Sequence, residues 1–258
     1  MSASGVAVVT GASRGLGRAI ATHLAAAGYD LVIGYRSSPE AAKRLVIELE
    51  ALGRRAAMVD GDQADAATSV SLVEAAAELG TLEVWVNNAG VSVYAPLLDT
   101  TPDDLERQHQ VNVMGTFHGL QAAARTFIES GTNGRIVNIA SEAGVQAFPF
   151  LGAYSATKFA VVGLSQVAAL ELAEHGITVN AVCPGTAETD MVAAERISQI
   201  ELTGASPDEV RAGLLSTIPL GRHCEPDDVG ALVAFVASPA ASYLTGQALC
   251  TNGGSVLH

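Results

Sequence analysis

The sequence is short of charge, of basic residues and of cysteine, and each shortage rules something out. Asp, Glu, Lys and Arg together make up 16% of the 258 residues, low for a solvated surface. Either the chain is simply rich in alanine, or part of its surface is covered in an oligomer. Lys and Arg number 14 against 27 Asp and Glu, a formal net charge of −13. Such a chain repels phosphate backbones and anionic membranes, which argues against nucleic-acid and membrane partners. A nucleotide ligand stays open, because one pocket can be positive on a negative protein. Cys183, Cys224 and Cys250 are odd in number and widely spaced, unlike a disulfide framework or a zinc site. His109 and His118 are too far apart to be ligands on one helical turn, and His223-Cys224 reads as the approach to a helix start at Glu225-Pro226. No metal site is expected. The stretch before the first apolar strand is too short for a signal peptide, and no uncharged apolar run reaches membrane-spanning length. The expectation is a cytoplasmic protein.

What the chain does have is core. Hydrophobic residues are 49%, enough for one open α/β sheet in a single domain over residues 1–258. Strands are predicted at 6–10, 30–35, 56–60, 82–87, 134–140, 177–182 and 247–250, and helices at 15–27, 39–52, 68–79, 101–129, 153–174 and 226–238. Gly28 and Gly53 close the first two helices. Uninterrupted apolar strands alternating with helices imply a parallel sheet covered on both faces. Right-handed crossovers make that a doubly wound Rossmann fold. The one long irregular stretch, 189–219, contains helix-forming pieces broken at residues 204–207 and reads as a small substrate lid.

Thr10-Gly11-Ala12-Ser13-Arg14-Gly15-Leu16-Gly17 links the first strand to the first helix. Glycine permits a tight turn and a close approach of phosphate, and the helix N-terminus offers free N–H groups and partial positive charge. The second strand ends Tyr35-Arg36-Ser37-Ser38, without the acid that would bind the ribose hydroxyls of NAD(H). Arg36, joined by Arg14, is placed to grip a 2′-phosphate, which favours NADP(H) over NAD(H). In Tyr154-Ser155-Ala156-Thr157-Lys158 the phenol and the ammonium share one helix face. A charge about 4 Å from the phenol, at an effective dielectric near 20, is worth roughly 4 kcal/mol, or about three pKa units. That would bring Tyr154 into range for general acid/base work. Ser141 stands at a strand end 13 residues before Tyr154, where its hydroxyl can stabilise a developing oxyanion. Asn112 lies inside the long helix predicted at 101–129, where asparagine is a poor helix former; a role or a kink is implied.

The spacing Gly11…Gly15…Gly17, the Asn87-Asn88-Ala89-Gly90 segment and the Tyr154…Lys158 pair together resemble the short-chain dehydrogenase/reductase family. The resemblance covers nearly the whole chain in the expected order, ending in Leu244-Thr245-Gly246-Gln247 and Asn252-Gly253-Gly254. It implies that Asp62 bonds the adenine amino group. Gln63 replaces a residue that is normally apolar. Asn88, Ala89 and Gly90 would lie along the ribose, and Pro184, Gly185, Thr186 and above all Thr189 would hold the nicotinamide end. By the same resemblance Asn112 bends its helix and joins a proton relay, Ser141 is the oxyanion donor, Tyr154 the acid/base, and Lys158 the group that lowers its pKa and contacts ribose. The activity implied is hydride exchange between NADP(H) and a small carbonyl or alcohol substrate, in a homotetramer. Two subclasses stay open, 3-oxoacyl-acyl-carrier-protein reductases with an acyl-carrier-protein partner, and diol, acetoin or polyol dehydrogenases. A non-catalytic NADP(H)-binding regulator is the reading from another class, disfavoured because all four catalytic positions are filled. Tyr94, Glu142, Gln146 and Phe148 are left open as pocket or packing residues.

Overall fold

A computed structural model describes residues 5–257. Seven parallel strands form one sheet in the order β3-β2-β1-β4-β5-β6-β7. The strands are β1 Val6–Val9, β2 Asp30–Tyr35, β3 Ala56–Asp60, β4 Leu82–Asn87, β5 Arg135–Ile139, β6 Thr178–Pro184 and β7 Ala248–Thr251. The helices are α1 Gly15–Ala26, α2 Pro39–Ala51, α3 Ala66–Leu79, α4 Pro102–Gln108, α5 Gly115–Ser130, α6 Gly152–Leu172, α7 Asp190–Thr203, α8 Pro207–Ser216 and α9 Pro226–Ala237. The doubly wound sheet expected from the apolar runs is present.

Alternate residues of a strand point to opposite faces, and β1 shows what that requires. Ala7 and Val9 pack with Ile20, Leu24, Leu45, Val229 and Val233, from α1, α2 and α9. Val6 and Val8 pack with Leu72, Leu120, Phe127 and Ala169, from α3, α5 and α6. Both faces are dry, so the strands cannot alternate polar with apolar, and they read as continuous hydrophobic runs.

A buried polar chain crosses the second of these cores. Trp85 Nε1 donates to Asn87 Oδ1 at 2.7 Å, Asn87 Nδ2 to Asn138 Oδ1 at 2.8 Å, and Asn138 Nδ2 to Ser165 Oγ at 2.8 Å. The Ser165 hydroxyl donates in turn to Val161 O at 2.7 Å. Every member is paired, and the chain fixes β4, β5 and α6 in register. Gly119 on α5 must be glycine for this: a Cβ there would lie 2.0 Å from Asn87 Oδ1.

Three elements differ from the sequence expectation. The helix predicted at 101–129 is α4, a π-helical turn over His109–Met114, and α5. Asn112 sits in that turn, so the kink it signalled is real. Helix α3 starts earlier than residue 68, because Asp65 caps it by accepting the Ala67 N–H. The stretch 189–219 is mostly α7 and α8, parted where Gly204 takes a φ of 69° and Ser206 caps the next helix in a reciprocal bond with Glu209. With its following turn, α6 is the one helix among the described residues long and apolar enough to cross a membrane; here it packs on β6 and carries Tyr154 and Lys158.

Candidate active site

A cleft of about 800 Å³ opens along the carboxyl edge of the sheet. It includes the crevice between β1 and β4, where the strand order reverses. One end is the glycine turn. A Cβ on Gly11 would stand 2.9 Å from Ala89 Cα, and one on Gly17 would stand 2.5 Å from Gly11 O. Helix α1 starts without a side-chain cap and without an acid in its first turn. Its first N–H groups therefore have no side chain to satisfy them beside a cleft lined by Gly11, Ser13, Arg14, Gly15, Leu16 and Gly17, which suits the phosphates of a dinucleotide. Thr10 and Asn88 hold this turn in shape. The buried Thr10 Oγ1 accepts the Asn88 and Ala89 N–H groups at 2.9 and 3.0 Å, and Asn88 Nδ2 donates to the Thr10 and Gly11 carbonyls at 2.8 and 3.1 Å. The two asparagines of the Asn87-Asn88 pair thus do different work, one in the core and one clamping the turn.

Tyr35, Arg36, Ser37, Asp62 and Gln63 line the next part of the wall. The arginines expected to meet a phosphate are both there, each beside a carboxylate: Arg36 Nη1 lies 3.0 Å from Asp62, and Arg14 Nη1 3.2 Å from Asp190. These pairs are exposed, so each is worth about 1 kcal/mol or less and is easily exchanged for phosphate. The Gln63 amide turns inward to Ser69 Oγ at 2.9 Å, which explains how a polar residue occupies this place. Asn88, Ala89, Gly90, Pro184, Gly185 and Thr189 line the cleft; Thr186 does not, and its carbonyl accepts the Cys224 N–H at 3.0 Å. Thr189 caps α7, accepting the Val192 N–H at 3.4 Å.

Ser141, Tyr154 and Lys158 meet at the other end of the cleft. Ser141 Oγ accepts the Ala143 N–H at 3.1 Å, which anchors it at the end of β5. Lys158 is buried, its Nζ donating to Ile139 O at 2.8 Å and standing 5.5 Å from the centre of the Tyr154 ring. Asn112 does not reach the cleft wall. Its amide accepts the Val91 N–H at 2.8 Å and donates to Val91 O at 2.9 Å and Thr157 Oγ1 at 3.0 Å, bracing the residue beside Lys158. Of the residues left open, Tyr94 lines the cleft, its ring 5.3 Å from that of Phe150. Gln146 and Phe148 stay off the wall, and so does Glu142, which is buried and accepts a hydrogen bond from Ser255. Ser92 and Glu195 also line the wall. Nothing in the sequence pointed to them, since each is a lone polar residue in a loop or on a polar helix.

The three-unit lowering of Tyr154 expected from its sequence neighbour is not present in the chain itself. Burial, then the Glu195 charge, pushes the phenol above its ordinary value, against a smaller opposing effect of the Ser141 hydroxyl. Burial lowers Lys158 from 10.5 to about 8, because no carboxylate among the described residues neutralises it. Desolvation of both groups outweighs their attraction at this separation. Between about pH 8 and 10.5 only the unfolded chain keeps the Lys158 proton, so folding stability rises with pH there by up to about 1.4 kcal/mol per unit. Lys158→Met removes that rise. In urea unfolding its stability relative to wild type is expected to be most favourable below pH 8 and to decline toward pH 10.5; a difference flat in pH would contradict a desolvated ammonium.

The model of the short chain dehydrogenase family matches residues 5–199. The chain is 44% identical to an L-2,3-butanediol dehydrogenase of Corynebacterium glutamicum, covering 97% of this chain and 98% of that one. It is 38% identical to the 3-oxoacyl-acyl-carrier-protein reductase FabG of Staphylococcus aureus, covering 96% of each. A crystal structure of an actinorhodin polyketide ketoreductase variant with NADPH superposes with a TM-score of 0.92 at 35% identity, covering 98% of this chain and 97% of that one. Likeness of this extent, on a seven-stranded parallel sheet with its cleft at the carboxyl edge, makes the protein an oxidoreductase of the short-chain dehydrogenase family.

Proposed function

We propose that the protein exchanges a hydride between NADP(H) and a small, free carbonyl or secondary-alcohol substrate, with Tyr154 as the proton donor or acceptor. The observation that carries this reading is that Ser141, Tyr154 and Lys158 share a cleft with an uncapped helix N-terminus and its glycine turn. The bound nicotinamide supplies or takes the hydride, and its oxidised form adds positive charge beside the phenol. The chain does the rest. The glycine turn and the start of α1 take the pyrophosphate, and Arg36 with Arg14 takes the 2′-phosphate, exchanging their carboxylate partners for it. Asp62 and Gln63 border the adenine, Asn88, Ala89 and Gly90 the ribose, and Pro184, Gly185 and Thr189 the nicotinamide end. Ser141 holds the substrate oxygen, and in reduction Tyr154 gives that oxygen its proton. Lys158 bonds ribose and repolarises the phenol, and Asn112 braces its helix.

A free substrate is favoured over a carrier-bound one by the acidic net charge of −13, which opposes docking of an acidic carrier protein, and by the greater identity to a butanediol dehydrogenase than to FabG, 44% against 38%. Segment 189–219 is the lid, with α7 giving the wall Met191, Val192, Ala194, Glu195 and Ser198 and α8 bracing it. Phe117 and Ile128 on α5 and Phe159, Val167 and Leu170 on α6 are apolar and exposed, which supports assembly through these helices into a homotetramer. The reading places the enzyme in the cytoplasm, in keeping with three free cysteines.

Arg36→Leu is expected to raise KM for NADPH by about tenfold or more, the worth of a charge-assisted hydrogen bond, while KM for NADH moves little. A wild-type preference for NADH would overturn the role of Arg36. Tyr154→Phe is expected to lower kcat for butane-2,3-dione by roughly 10²- to 10⁴-fold, with NADPH still bound by fluorescence titration. Retained turnover would remove Tyr154 from the mechanism.

A further inference from the structure

Two polar groups in the cleft have no part in the chemistry above. Glu195 on α7 and Ser92, in the segment after β4, line the cleft together with Ser141 and Tyr154. The Ser92 hydroxyl is buried and has no hydrogen-bond partner among the described residues. Burial pushes the Glu195 carboxyl above its ordinary value, and the nearby Ser92 hydroxyl opposes that shift without reaching hydrogen-bond geometry. Glu195 forms no ion pair among the described residues, whereas its neighbour Arg196 makes a bidentate pair with Glu188, at 2.9 Å for each bond. One turn of α7 therefore sends its cation to Glu188 and leaves its anion unneutralised in the cleft. The Glu195 charge is felt at both Tyr154 and Tyr94, so it lies within range of the reacting end. Lys158 and Arg107 also border the cleft, and Glu142, off its wall, acts on Tyr154 in the same sense.

A buried hydroxyl without a partner and a carboxylate without a cation are unfavourable unless a ligand completes them. A neutral hydroxyl does so: it donates a hydrogen bond to the carboxylate, and its oxygen accepts one from the serine. A carboxylate or phosphate in the same place would face the Glu195 charge in a half-dry cleft, where two charges about 5 Å apart repel by roughly 3 kcal/mol at an effective dielectric of 20.

We propose that Glu195 and Ser92 form a second polar subsite which takes a hydroxyl beside the reacting carbon and excludes anions, selecting neutral hydroxy ketones and vicinal diols over oxo acids and phosphorylated ketones. The proposal rests on the carbonyl-reductase reading, and its test separates the two. Wild type, Glu195→Gln and Ser92→Ala are assayed with NADPH and with NADH on 3-hydroxybutan-2-one, butane-2,3-dione and 2-oxobutanoate. In Glu195→Gln, kcat/KM for 2-oxobutanoate relative to butane-2,3-dione is expected to rise roughly tenfold or more. In the same variant the pH profile of kcat/KM moves to lower pH, because the charge that holds Tyr154 up is gone. In Ser92→Ala, KM for 3-hydroxybutan-2-one rises several-fold relative to that for butane-2,3-dione. Turnover with both ratios and the profile unmoved would overturn the subsite while leaving the reductase intact. No turnover of any of the three by wild type would overturn the reductase reading and the subsite with it.

Discussion

The ammonium of Lys158 is buried against the end of a strand, with one carbonyl, Ile139 O at 2.8 Å, as its partner and no carboxylate among the described residues. A group in that position opposes folding, and the surroundings exist to hold it there. The chain of Trp85, Asn87, Asn138 and Ser165 ties α6 to β4 and β5. Asn112, set in a π-helical turn, ties the residue beside Lys158 to the loop after β4. Gly144 allows the close approach: a Cβ there would lie 2.7 Å from Lys158 O. A site built on a dry ammonium needs a rigid frame, and a fully paired polar chain anchors the same helix to the sheet.

The same dryness sets the proton chemistry. Burial and Glu195 keep the Tyr154 phenol protonated near neutrality, which is the form a carbonyl reduction consumes. Lys158, lowered to about 8, still carries its charge at pH 7. In this account the acid/base function is completed by the positive charge that a nicotinamide brings to the phenol, rather than by the lysine alone. The chain contributes placement: Ser141 at the end of β5, the phenol one helical turn before the ammonium, and the glycine turn at the far end of one cleft.

Much of this was legible in the residues. Strands buried on both faces leave unbroken apolar runs, so the sheet and its class could be read directly. The Gly11…Gly17 turn and the Tyr154…Lys158 spacing are local, and local geometry follows from sequence. Asn112 signalled a departure from helix because its side chain competes with the helical backbone. What could not be read depends on contacts distant in sequence. The clamp of Asn88 on Thr10 spans 78 residues. The inward face of α7, with Glu195, is set by how that helix seats on the cleft, and Thr186 lies off the cleft wall, where its carbonyl accepts the Cys224 N–H. The direction of the phenol shift failed for a similar reason: spacing gives a separation, but desolvation depends on everything packed around the pair.

The most direct test of the central claim is a tyrosinate absorbance titration of wild type minus Tyr154→Phe, alone and with saturating NADP⁺. Tyr154 alone is expected to stay protonated past about pH 10, the value of a free phenol, and NADP⁺ to lower its pKa by a unit or more. Tyrosinate at neutral pH in the protein alone, or a titration that NADP⁺ does not move, would contradict it.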